Sequence, residues 1–217
     1  PAQMIDTVAA FEAVIKSIES DRYREAIRIG KQTHQMVAVK DICDRIVDNI
    51  DPTQFSGDVK YIGLENIESN TGELVGEIDS TYESIKSAKT RFAEGDILYG
   101  KLRPNLNKVY LAQFSGICST DIFVLRTKQN ADKSYVREML RSPYFNTEVL
   151  KGLSGSQLPR VSFDYLSNLS IPLPPLEIQL QIVNQIEIYQ KQLEENQKNI
   201  EKLKANIQSI VNKIWEE

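Results

Sequence analysis

From Leu176 to Glu217 the chain contains neither proline nor glycine, and a heptad pattern runs nearly the whole length of that stretch. Ile182, Ile186, Tyr189, Leu193, Asn196, Ile200, Leu203, Ile207, Ile210 and Ile214 alternate steps of four and three, and nine of these ten are apolar. That is the coiled-coil pattern. At ~1.5 Å per residue it predicts a helical rod of roughly 60 Å. Ile171-Pro-Leu-Pro-Pro175 stands just before it, where prolines are tolerated because first-turn amides have no intrahelical acceptor to lose. A stripe this long exceeds what a small neighbouring domain can cover, so it is expected to pair with a helix from a second copy or from a different chain. Asn196, in the seam, reads either as a register-fixing polar residue or as a solvated defect. One stripe does not say whether the pairing is parallel or antiparallel.

Two further regions precede the rod. In residues 1–30, Ile5, Val8, Phe11, Ile15 and Ile18 recur at helical spacing and predict an N-terminal helical arm. From residue 31 to 175 the texture becomes that of a mixed α+β domain. Short β-rich runs (Val59 to Leu64, Ile97 to Tyr99, Val109 to Phe114, Ile117, and Ile122 to Leu125) are separated by turn residues such as Asn70-Thr71-Gly72 and Ser115-Gly116. A helix is expected near Ser134 to Arg141, followed by the Gly/Ser loop Gly152-Leu-Ser-Gly-Ser156. The fold class is therefore α+β: a mixed domain over 31–175, then a long coiled-coil-forming helix over 176–217.

Composition excludes several classes of function. With 26 Lys+Arg against 30 Asp+Glu, the formal charge of −4 rules out nucleic-acid binding by bulk positive charge, though not by a local basic face. Two cysteines, Cys43 and Cys118, form no CxxC and no disulfide framework, which points to a reducing compartment. No run of ~18 apolar residues and no signal peptide occurs, so the chain reads as cytosolic, with no membrane partner. It begins on proline rather than methionine, which reads as a processed or trimmed piece of something longer.

Catalytic signatures are missing. His34 is the sole histidine, so a His-based metal site or a Ser-His-Asp triad would rest on one residue. Gly95-Asp-Ile-Leu-Tyr-Gly100-Lys101 has the spacing of a phosphate-cradling loop. Leu102, however, stands where a Ser or Thr should hold Mg²⁺, and Ile-Leu-Tyr reads as strand. No catalytic residue, metal or cofactor is expected.

Charge, by contrast, is distributed unevenly. Residues 45 to 83 carry two basic and nine acidic side chains, and residues 86 to 108 carry six basic and two acidic. The basic run comprises Lys86, Lys89, Arg91, Lys101, Arg103 and Lys108, with Asn105 and Asn107 nearby. Arg reads guanine, Asn reads adenine and Lys grips phosphate, so the inventory suits duplex readout. Ser154-Gly-Ser-Gln-Leu-Pro-Arg160 adds donors on a backbone that can approach a phosphate closely.

Three segments in order resemble the specificity (S) subunit of type I restriction-modification enzymes. They are Val59-Lys-Tyr-Ile-Gly-Leu-Glu-Asn-Ile67; then Gly95-Asp-Ile-Leu-Tyr-Gly-Lys-Leu-Arg-Pro104 running into Asn107-Lys-Val109; and finally Gly155-Ser-Gln157 through Ile171-Pro-Leu-Pro-Pro-Leu176 into Gln179-Leu-Gln-Ile-Val183. The resemblance covers roughly residues 37 to 217. It implies a target recognition domain that reads one half of a split DNA site. It also implies a helix that spaces and pairs, and a subunit without chemistry of its own that docks a methyltransferase subunit, with a restriction subunit as a further candidate partner. Family members usually carry two recognition domains and two helices, whereas one of each is present here. This half-subunit form is expected to act as a homodimer on a two-fold symmetric site. The family's adjacent Glu-Gln after the prolines is interrupted here by Ile178. The residues carried over to DNA contact are Lys101, Arg103, Asn107, Lys108, Ser156, Gln157 and Arg160, with Lys86, Lys89 and Arg91 added on charge. The heptad positions are carried over to the dimer and subunit interface. The competing readings are a coiled-coil adaptor that binds protein and, third, a nuclease with carboxylates converging in space.

Overall fold

The computed structural model describes residues 35–153 and 158–216. The arm expected over residues 1–30 lies outside the described residues, as do Ser156 and Gln157. The described residues fall into two units, one ending at residue 180 and the other beginning at 181.

In the first unit, β1 (Met36–Ala38) runs antiparallel to β11 (Ser170–Pro172), so the unit's first and last strands lie side by side. The Val39 amide donates to the Leu169 carbonyl at 2.9 Å, and the Leu173 amide to that of Gln35 at 3.0 Å, extending the closure at both ends. After the single-turn helix α1 (Val39–Ile42), two sheets form. The four-stranded sheet is antiparallel, in the order β2 (Cys43–Ile46), β10 (Ile122–Thr127), β7 (Ile97–Gly100), β8 (Val109–Leu111). The five-stranded sheet has the order β3 (Asn49–Ile50), β6 (Lys89–Phe92), β9 (Gly116–Ser119), β4 (Asp58–Ile62), β5 (Asp79–Thr81), with β4 and β9 as its parallel pair.

Side chains that alternate along these strands build the core between the sheets. Ile62, Phe92 and Cys118 from one sheet pack with Leu98, Tyr110, Ile122 and Val124 from the other. Helix α2 (Lys133–Arg141) packs on β8 and β10. The side chain of Asp132 caps α2 by accepting from the Tyr135 amide at 2.9 Å. Ser142 does the same for α3 (Pro143–Lys151), accepting from Phe145, and Ser162 for α4 (Phe163–Asn168), accepting from Tyr165. Both cysteines are free and buried, and burial pushes each thiol up to about 12, so neither is a reactive thiolate near neutral pH.

The long helix α5 spans Leu176–Glu216, and its first turn is fastened to the domain by one side chain. Gln179 is fully buried. Its Oε1 accepts from the Asp132 amide at 2.8 Å, and its Nε2 donates to the carbonyls of Pro174 at 2.8 Å and Asn130 at 3.1 Å. In the second unit, Ile182, Ile186 and Ile200 are buried, while Tyr189, Leu193, Asn196, Leu203 and Ile207 are half-buried. Ile210, Val211 and Trp215 remain exposed, and the Ile214 side chain lies outside the described residues. Among the described residues, no helix is long and apolar enough to cross a membrane.

Gln179→Leu keeps the volume but strands one amide and two carbonyls. It is expected to lower stability by about 2–4 kcal/mol, read as a fall in the urea midpoint at unchanged m-value.

Candidate nucleic-acid interface

Three loops meet where β7 ends. The Lys101 amide donates to the Asp121 carbonyl at 3.0 Å, the Arg103 amide to that of Pro159 at 2.8 Å, and the Val161 amide to that of Lys101 at 3.0 Å. Leu102 and Arg160 form an isolated antiparallel bridge. Between Arg103 and Asn107 the chain makes one 3-10 turn, Pro104–Leu106, with a left-handed residue at each end: Arg103 at φ 50° and Asn107 at φ 50°. Left-handed backbone costs a non-glycine residue about 1–2 kcal/mol, and a residue before proline is confined further. The surrounding bonds hold Arg103 there, with its side chain exposed and no acidic partner among the described residues.

Several sequence candidates belong to the framework instead. Asn107 is buried, and its Nδ2 donates to the Arg141 carbonyl at 2.7 Å. The Lys108 ammonium donates to the Leu64 carbonyl at 2.7 Å, tying the turn to the Leu64–Asn66 segment. Lys89 is buried on β6, donating to the Ser87 carbonyl at 2.8 Å and hydroxyl at 2.6 Å; desolvation holds its pKa below the usual lysine value. Lys89 and Asn107 are buried and Lys108 is half-buried, and each holds a neighbouring segment in place. Their charge or amide served as a signal in sequence, but here each one satisfies a backbone or loop oxygen.

Two candidates are paired with carboxylates. Arg160 bonds Asp121, with Nε to Oδ1 at 3.1 Å. Arg91 lies 3.8 Å from the Asp48 carboxylate and over the Phe55 ring at 5.0 Å. Lys86, Lys101 and Arg103 have no carboxylate partner among the described residues, and Lys86 and Arg103 are exposed. Lys101 sits 5.4 Å from the centre of the Phe123 ring. The structure therefore gathers Lys101 and Arg103 on one loop, with the charge of Arg160 beside them neutralised.

Sequence reasoning passed over the other side of this surface. A cleft of about 180 Å³ opens beside Lys101, lined by Arg45, Asn49, Thr90, Thr120 and Phe123 among others. The Thr90 hydroxyl donates to Asn49 Oδ1 at 2.8 Å. Arg45 is exposed on the edge strand β2, with no acidic partner among the described residues. It was hidden because it opens the acid-rich stretch 45–83, and only the pairing of β2 with β10 brings it to Phe123. The same fold disposes of the phosphate-loop spacing: Asp96 is buried, accepts from the Ala93 amide and forms a two-pronged pair with Arg126 at 2.8 Å. Among the described residues, no group of three or more His, Cys, Asp or Glu side chains is placed to hold a metal ion.

The β-rich domain thus presents cations with no carboxylate partner among the described residues around a strained turn, and its chain runs on into a long helix. The family model of the type I restriction modification DNA specificity domain matches residues 31–205, well over half of the chain, and the chain belongs to that family. It is 32% identical over 127 residues to the EcoDI type I restriction enzyme specificity subunit of Escherichia coli, and 28% identical over 140 residues to the HindI specificity subunit of Haemophilus influenzae. Each match covers 58% of this chain, but only 28% and 30% of those relatives, so the chain spans well under half of their length. Among solved structures, the HsdS subunit from Thermoanaerobacter tengcongensis superposes with a TM-score of 0.68 at 24% identity, covering 84% of this chain and 47% of that one. A structure of a type I restriction-modification system, described for complex assembly and conformational transition, gives 0.67 at 25% identity over 82% of this chain and 46% of that one. The S subunit from M. genitalium gives 0.58 at 9% identity, a likeness of fold.

Asn107→Ala removes a buried hydrogen bond and puts alanine in left-handed backbone. It should lower stability by about 2–3 kcal/mol. Asn107→Gly, which suffers no such backbone penalty, should cost less. Urea unfolding of the two variants checks the order.

Proposed function

We propose that this chain is a sequence-specific DNA-recognition module of a type I restriction-modification system. It reads one half of a bipartite site and guides a separate methyltransferase subunit, with a restriction subunit as a further partner. The observation that carries this reading is the Arg103 turn. A left-handed, pre-proline arginine held by backbone bonds to a neighbouring loop projects an uncompensated cation beside Lys101, and strain of this kind is retained where a side chain must be presented. Membership in the family supports DNA as the partner. The module contributes no catalytic group and no cofactor, and it works in the cytoplasm. In the homodimer of this reading, contact between copies runs along the heptad stripe of α5, and Leu180, Ile188, Ile210, Val211 and Trp215 are among the apolar positions of that helix left exposed.

Selection from a randomised duplex pool, with the chain and a type I methyltransferase subunit together, tests the proposal. An enriched split motif is expected. Inverted-repeat halves would mark two copies of this domain, unrelated halves a second recognition domain. No enrichment from folded protein would favour a protein-binding adaptor. On the selected duplex, Arg103→Ala should weaken binding about tenfold. It should also flatten the dependence of log K on log salt by about one unit if Arg103 meets a phosphate.

A further inference from the structure

We infer that Arg45 reads a guanine edge within the DNA site, positioned for that task by Phe123 and Phe163; the inference rests on the DNA-recognition reading above. The Arg45 guanidinium carbon lies 4.9 Å from the centre of the Phe123 ring and 5.1 Å from that of Phe163. The rings meet edge to face, 5.5 Å apart at 73°. They come from different parts of the chain: Phe123 from β10, which pairs with β2 beside Arg45, and Phe163 from the first turn of α4. A long, exposed side chain is thus braced from two sides while its donors have no hydrogen-bond acceptor among the described residues.

Bracing decides between the two things an arginine does on DNA. A phosphate accepts from many directions, so a mobile side chain serves it as well as a fixed one. Bidentate recognition of guanine O6 and N7 needs the planar fork in one orientation, and stacking on aromatic rings supplies that at reduced entropic cost. The electrostatics point outward as well. Lys101 occupies the same Phe123 ring at 5.4 Å, so two cations crowd one ring with no carboxylate to neutralise either among the described residues. A polyanion laid across this end of the domain relieves that repulsion. Asn49, Thr90 and Thr120 line the adjoining cleft, which places polar groups beside the guanidinium where a base edge would lie.

The test is selection from a randomised duplex pool with the wild-type chain, Arg45→Lys, Arg45→Ala and Phe163→Leu, each with the methyltransferase subunit and each checked by urea unfolding. Arg45→Lys keeps a cation over the rings and so the fold, but loses the fork. Both Arg45 variants are expected to relax the preference for guanine at one position by roughly 10- to 100-fold, leaving the rest of the motif intact. Phe163→Leu should relax that same position to a smaller degree. A uniform loss over all sequences, with a salt slope about one unit shallower, would make Arg45 a phosphate contact and overturn the inference. An unchanged motif and affinity would overturn it too. If the wild-type chain enriches no motif at all, the DNA-recognition reading falls first and this inference with it.

Discussion

Gln179 is the fastening on which the C-terminal edge of the domain depends. A buried amide has two donors and two acceptor sites, and leaving them unmet in the interior costs about as much as the bonds are worth. Gln179 meets the demand by closing on the Asp132 amide and on the carbonyls of Asn130 and Pro174. One side chain thereby joins the cap of α2, the proline-led approach to α5 and the first turn of α5. The neighbouring Tyr135 hydroxyl donates to the Pro172 carbonyl at 2.8 Å, so the same junction is sealed from the helix side.

That device recurs through the domain. Asn66, buried, accepts from the Gly63 amide at 2.9 Å and donates to the Val75 and Glu77 carbonyls, which pins the excursion between β4 and β5. Asn107 and Lys108 do the same for the turn after β7. Arg141, buried against Glu138, donates to the carbonyls of Asn70 and Thr71. The loops of this protein are held by polar side chains closing on backbone oxygens, because strands of two to six residues leave much of the chain without ladder partners. A rigid loop set is also what a recognition surface needs, since side chains presented on it arrive already oriented.

Against that framework the uncommitted charges stand out. Arg160, Arg91 and Arg126 each face a carboxylate, whereas Arg45, Lys101 and Arg103 face none among the described residues. These three gather around the end of β7 and the edge of β2. In sequence they are merely three of twenty-six basic residues. Their separation from the rest is a matter of which neighbours the sheets supply.

The strongly patterned elements were legible from the chain alone. The heptad stripe and the absence of proline and glycine predicted α5, and the apolar runs at Val59, Ile97, Val109, Ile117 and Ile122 mark β4, β7, β8, β9 and β10. Strands such as Lys89-Thr-Arg-Phe92 and Asp79-Ser-Thr81 were not legible. Their residues carry little strand pattern and are ordered by partners distant in sequence. The residue types at the site, the order of the family motifs and the uneven charge were all set by sequence, because they depend on composition and local spacing. Which polar groups turn inward, which cations lose their carboxylates and which rings brace Arg45 were decided only by the tertiary structure. Burial, hydrogen bonding and ion pairing are relations between residues as much as 138 positions apart, as with Gln35 and Leu173, and no local pattern encodes them.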